Sequence, residues 1–65
     1  MFDESKYINL NGLRVLVEND MRRQKEYEIL DRAGAETYYA VRVEDLWPKA
    51  VYVIKKANIV RVAGD

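Results

Sequence analysis

At 65 residues the chain has room for one domain, and its eleven Lys and Arg balance its eleven Asp and Glu, which argues against a strongly cationic nucleic-acid module. Cysteine and histidine are both absent, so a disulfide and a structural zinc site are closed, and so are the commonest general base and the commonest soft nucleophile. Hydrophobic types make up 49% of the chain, five tyrosines among them; that composition excludes a disordered segment and leaves a well-packed core or oligomerisation to stabilise so small a domain.

Met1 to Lys6 read as a polar, loose start apart from Phe2. Tyr7-Ile8-Asn9-Leu10 and Leu13 to Val17 flank Asn11-Gly12, the strongest short hairpin signal, because both residues tolerate the positive φ of a type I′ turn. Leu13, Val15 and Val17 alternate with Arg14 and Glu18, as a half-buried strand requires. Asn19 to Arg32 is open to two readings. Asn19 or Asp20 could cap a helix ended by Gly34, which gives an α+β alternative with residues 20–33 helical against a bent antiparallel sheet. The apolar residues Met21, Tyr27, Ile29, Leu30 and Ala33 do not gather on one helical face, however. The preferred reading is a polar loop over Asn19–Gln24 and a strand over Lys25–Arg32, with Ala33-Gly34-Ala35 as the turn into the next strand.

Thr37, Tyr39, Val41 and Val43 alternate with Tyr38, Ala40 and Arg42 in strand-favouring residue types. The break at Glu44 to Pro48 contains a proline that cannot donate to a central ladder. Ala50 to Lys55 is a further strand, Ala57-Asn58 a short break and Ile59 to Val62 a last strand. The fold class is therefore all-β, a small five-stranded antiparallel barrel with an N-terminal extension, in a single domain over residues 1–65.

The order of elements from Gly12 onward resembles a Src-homology-3-like small barrel: a first strand, a polar loop, two hairpin-linked strands, a fourth strand, a tight turn at Lys56-Ala57-Asn58 and a final strand. The resemblance is one of layout. The Ala-Leu-Tyr-Asp-Tyr signature of the signalling members has no counterpart in Asn19 to Gln24, and their groove-lining tryptophan pair is missing, since Trp47 stands alone in a later loop. Polyproline binding is not carried over. What the resemblance implies is a small barrel that binds something, a scaffold used for proteins, nucleic acids and small ligands.

No catalytic constellation is visible. Ser5 and Thr37 lack a neighbouring base, and the three glycines do not form a phosphate-cradling loop. The carboxylate pairs Glu26/Glu28 and Glu44/Asp45 read as solvated surface charge rather than a metal site. The chain is therefore read as no enzyme, with no cofactor and no metal. If Leu13, Val15, Val17, Ile29, Tyr39, Val41, Val43, Val51 and Val53 fill the interior, the opposite faces still carry Leu16, Leu30, Tyr38, Ala40, Tyr52 and Ile54. A second apolar face of that kind marks an interface. Trp47 beside Pro48 caps the core or serves as an exposed anchor.

The expected function is thus a non-enzymatic interaction module that binds a protein partner through Tyr38, Trp47, Tyr52, Leu16 and Ile54, with self-association as a second use of the same face. A free-standing barrel of this size fits an accessory or inhibitory protein of the sort that viruses of bacteria encode. Two alternatives use Arg22, Arg23, Lys25, Lys55 and Lys56: a nucleic-acid-binding barrel, in which those cations contact phosphates, and an oligomer that sequesters a small anionic ligand. No apolar run is long enough to cross a membrane, and Met1-Phe2-Asp3-Glu4 has no signal-peptide pattern, so a cytoplasmic location is expected.

Overall fold

Strand-favouring residues in short runs, separated by turn residues, fold into five strands. The structure is a computed structural model that describes residues 2–64. The strands are β1 (Arg14–Glu18), β2 (Gln24–Gly34), β3 (Thr37–Arg42), β4 (Tyr52–Lys55) and β5 (Ile59–Val62). They form one antiparallel sheet in the order β4-β3-β2-β1-β5. Two single-turn 3-10 helices, Glu4–Lys6 and Lys56–Asn58, are the only helical segments among the described residues. The class is all-β, and the helix considered over 20–33 does not form. Tyr27 and Ile29 are spaced for one face of a strand, and β2 finds a ladder partner on each side. Among the described residues no helix is long and apolar enough to cross a membrane.

β2 organises the sheet. Its first half pairs with β1 (Glu18↔Gln24 to Arg14↔Glu28) and its second half with β3 (Tyr27↔Arg42 to Gly34↔Thr37). The register shifts between Ile29 and Asp31 and again between Arg32 and Gly34. Such bulges bend and twist a strand, which lets one strand of eleven residues serve two partners.

The β1–β2 connection is tighter than a long polar loop. Asn19 N–H donates to the Arg23 carbonyl at 2.9 Å, and Arg22 N–H to the Asn19 carbonyl at 2.9 Å. The Asn19 side-chain oxygen accepts from Met21 N–H at 2.9 Å and Arg23 N–H at 3.0 Å. Arg22 takes the left-handed conformation, φ 59°, that closes the turn.

Asn11-Gly12 does turn the chain, with Leu13 N–H donating to the Leu10 carbonyl at 3.0 Å. It does not make a hairpin, and no strand forms over Tyr7–Leu10. Gly12 alone has positive φ there, 89°, whereas a type I′ turn needs it at both central residues. The turn is tied instead to β2, through Gly12 N–H to the Ile29 carbonyl (2.7 Å) and Ile29 N–H to the Leu13 carbonyl (2.8 Å).

The core consists of Phe2, Val15, Ile29, Tyr38, Ala40, Ile54 and Ile59, with Tyr7, Leu10, Leu13, Val17, Tyr27, Tyr52 and Val62 packed around it. Each fully buried aliphatic side chain here contributes about 1.5–3 kcal/mol. Two sequence-based expectations are corrected by this core. On β3 and β4 most of the expected facing is reversed: Tyr38, Ala40 and Ile54 are buried, while Tyr39, Val53 and, just before β4, Val51 are exposed; Val41 is buried as expected. Both faces of these strands are apolar, so their alternation alone cannot choose between them. The choice follows from the pairing of Ile29 with Ala40 and of Arg32 with Tyr38 across the bulged ladder. The start of the chain is not a loose tail either. Phe2 is buried, stacked on Tyr7 at 5.9 Å and edge-on to Tyr38 at 6.1 Å. Asp3 accepts from Ser5 N–H at 3.1 Å and so caps the first 3-10 turn. Met1, read with that tail, lies outside the described residues.

Candidate functional site

The inward face of the sheet is occupied by structural contacts. The Tyr38 hydroxyl donates to Glu4 Oε2 at 2.5 Å, and Arg32 Nη2 donates to the same oxygen at 2.7 Å. The Arg32 guanidinium also lies over the Tyr38 ring, 5.7 Å from its centroid. Burial, and then the bond to Glu4, push the Tyr38 hydroxyl up to about 12. The same bond, followed by that from Arg32, holds the Glu4 carboxyl below its usual range. At the other end of β3, Arg42 lies 4.5 Å over the Tyr52 ring, donates to the Tyr52 hydroxyl and reaches Asp45 at 3.2 Å. Tyr27 meets Tyr52 edge-on at 5.8 Å.

Of the residues expected to bind a partner, only Trp47 is freely exposed. Tyr38 and Ile54 are buried in the core, Tyr52 is half-buried beneath Arg42, and Leu16 is half-buried on β1. Tyr38 and Ile54 therefore cannot reach a partner without opening the fold, and this part of the expected surface is corrected. Their neighbours replace them. Tyr39 and Val53 sit directly opposite each other on β3 and β4 and are 44% and 60% exposed. Val51, two positions before Val53, is 56% exposed. The connection between these strands holds out Leu46 and Trp47, 88% and 79% exposed. Trp47 carries Lys49 at 5.4 Å from its ring, and the Lys49 ammonium donates to the Val43 carbonyl at 3.2 Å.

The outward side of the sheet is thus divided. The β1–β2 part carries charge, with Arg14 3.8 Å from Glu26 and Glu28 beside Val41. The β3–β4 part exposes Tyr39, Val51 and Val53 and ends in Lys55, with Val41 buried at 5%. Tyr39, Val51, Val53 and Leu46 were hidden from sequence reading because the first three fitted an interior stripe equally well. The facing of Tyr39 and Val53 follows from the pairing of Ile29 with Ala40 and of Tyr39 with Val53, which has no mark in the sequence.

The basic residues of the alternative readings are distributed over two connections. Arg22 and Arg23 are exposed in the β1–β2 turn, while Lys55 and Lys56 lie at the junction after β4. Lys25 is bound to Glu44 at 2.6 Å, and Lys56 lies within electrostatic reach of Asp3 and Glu4. The carboxylate pairs are likewise engaged, Glu26 with Arg14, Glu44 with Lys25 and Asp45 with Arg42. Among the described residues no cluster of Asp or Glu could hold a metal ion. A shallow cleft of about 210 Å³ runs between the N-terminal segment (Phe2, Asp3, Lys6, Tyr7) and β5 (Val60, Arg61, Val62).

Compared with known protein families, with curated proteins and with solved structures, the chain matches none.

Proposed function

We propose that this chain is a non-enzymatic interaction module that binds a protein partner through the outward face of β3 and β4 and through the Leu46–Trp47 connection. The observation that carries this reading is the cross-strand pair Tyr39–Val53, extended by Val51 and left uncovered on a sheet whose other side already has a complete core. A domain this small gains nothing for its own stability from large apolar side chains in water, and such patches mark binding surfaces. The strand order and the 3-10 turn between the last two strands support a Src-homology-3-like layout, here with an apolar strand face in place of a polyproline groove.

The reading is tested by capture from nuclease-treated host lysate, comparing the unaltered chain with Val53→Asp and Trp47→Ala. One stoichiometric protein should be retained at high salt and lost with either variant, while the melting temperature of both variants stays close to that of the parent. Retention by both variants would overturn the assigned face. Capture of nucleic acid alone, weakening steeply with salt, would transfer the function to Arg22, Arg23 and their neighbours.

A further inference from the structure

β4 has a strand neighbour on one side only. It pairs with β3 over Thr37↔Lys55, Tyr38↔Ile54, Tyr39↔Val53 and Ala40↔Tyr52, and among the described residues no backbone hydrogen bond reaches its other edge. Which groups stand at that edge follows from one bond. Lys56 N–H donates to the Glu36 carbonyl at 2.8 Å, and these two residues extend the same register by one step. Bonded and non-bonded pairs alternate in an antiparallel ladder, so Tyr38–Ile54 and Ala40–Tyr52 are the bonded pairs. Tyr52 and Ile54 direct their N–H and C=O groups toward β3, and Val53 and Lys55 direct theirs outward. The far side of β3 obeys the same alternation. Val43 N–H donates to the Glu26 carbonyl at 3.0 Å, which makes Glu28–Val41 a bonded pair and leaves Ala40 and Tyr38 to serve β4.

The residues with outward backbone groups are also those with side chains on the apolar face, because Ile54 between them is buried. A strand added antiparallel at this edge would therefore exchange bonds with Val53 and Lys55, and its bonded residues would lay their side chains beside those two. Lys55 is exposed and meets no carboxylate at salt-bridge distance among the described residues, so the stripe Val51–Val53–Lys55 is apolar with one unneutralised cation at its end. A second copy of this chain is a poor match. The sheet's edge strands, Tyr52–Lys55 and Ile59–Val62, contain no Asp or Glu, and edge-to-edge pairing would set Lys55 against an apolar side chain or another cation.

We propose that β4 accepts an extended peptide of the partner as an added antiparallel strand, with a carboxylate side chain beside Lys55 and apolar side chains at the next alternate positions, beside Val53 and Val51. This rests on the β3–β4 face being the docking surface and specifies how that surface is used.

The probe is a capped, fluorescently labelled synthetic peptide in which Glu, Val and Val occupy alternate positions separated by Thr, followed by anisotropy and by amide hydrogen exchange. In the free chain the Val53 and Lys55 amides should exchange rapidly and the Ile54 amide slowly. Added peptide should saturate and should slow the Val53 and Lys55 amides. Replacing the peptide's Glu by Lys should weaken binding about fivefold, the size of an exposed ion pair exchanged for a repulsion. Lys55→Glu should reverse that preference, and N-methylation of the first peptide valine should remove binding. The proposal is overturned by absence of saturable binding, by equal binding of the N-methylated peptide, or by protection that appears elsewhere while Val53 and Lys55 stay unchanged. If the peptide fails in these ways while the captured partner is still lost with Val53→Asp, strand addition falls and the docking face stands. If the captured partner is also retained by Val53→Asp, both fall.

Discussion

At the β5 edge the chain lays its own N-terminal segment along the sheet, whereas at the β4 edge the backbone groups of Val53 and Lys55 face open solvent. Phe2 and Tyr7 border β5 across a shallow cleft, and Glu4 ties the segment to Tyr38 and Arg32. Among the described residues β4 has no such cover; it is short, at four residues, and ends in a lysine. Shortness and a lysine are the usual means by which a bare edge avoids indiscriminate pairing. Among the described residues the edge without a covering segment is the one that carries the apolar stripe. The contrast teaches that the two edges are protected by different means, one by a docked segment and the other by brevity and charge.

The largest effect expected from this contrast comes from proline scanning of β4. Ile54→Pro removes a donor that β3 uses and a buried side chain, and should cost about 3 kcal/mol or more in urea unfolding, enough to unfold much of a small domain. Val53→Pro removes a donor that no described residue uses and should cost about 1 kcal/mol or less. The reverse order would mean that β4 faces the other way and that its edge is not the open one. Phe2→Ala comes next, at about 2–3 kcal/mol. That is below the range for a deep core phenylalanine, because a terminal segment can shift into part of the space. Hydrogen exchange should quicken along β5 and leave β4 unchanged; equal quickening at both edges would break the comparison.

How much of this was legible in the sequence differs from strand to strand. β1 and the first half of β2 were readable because their two faces differ in kind: Val15 and Val17 against Arg14 and Glu18, Tyr27 and Ile29 against Glu26 and Glu28. The all-β class and the places of the later strands followed from residue type and from Pro48, although β4 begins at Tyr52 rather than Ala50. The orientation of β3 and β4 was not readable, since Tyr38/Ala40 and Tyr39/Val41 serve equally well as an inner face. The pairing of Ile29 with Ala40 across the β2–β3 ladder decides between them, by setting Ala40 and with it Tyr38 on the side of buried Ile29. The face of β3 and β4 that is exposed is therefore the opposite of the one expected from their residues. The N-terminal segment was misjudged for a similar reason. Asp3, Glu4, Ser5 and Lys6 look like a solvated tail until Tyr38 and Arg32, more than twenty-five positions away in sequence, supply the partners of Glu4.

That long-range tie gives the covered edge a pH signature of moderate size. Glu4 is held below its ordinary value, so its contribution is present above that value and is lost as pH falls through the lowered one. Tyr38 is raised from 10.0 to about 12, so its contribution is complete below 10.0 and is lost as pH rises between these two values. Stability measured against pH should therefore fall at both ends. Glu4→Gln should flatten the acid limb and Tyr38→Phe the alkaline limb of stability against pH. An alkaline limb that survives Tyr38→Phe would mean that another group carries it.

The smallest effect concerns a region that belongs to neither edge. Asn19 closes the β1–β2 turn with its side-chain oxygen on two backbone N–H groups, those of Met21 and Arg23. Asn19→Ala leaves both without that acceptor in an exposed turn, at a cost of about 1 kcal/mol, the usual range for a lost side-chain cap. Because this turn shares no partner with Phe2, the double variant Phe2→Ala/Asn19→Ala should be additive within about 0.5 kcal/mol. Phe2→Ala combined with Tyr38→Phe should not be additive, since Phe2 packs edge-on against Tyr38 and the same segment carries Glu4. Additivity in the first pair and coupling in the second would show that the N-terminal segment acts as a local cover for one edge. Coupling in both would make it a support for the whole sheet, and the β4 edge could no longer be treated as energetically separate from it.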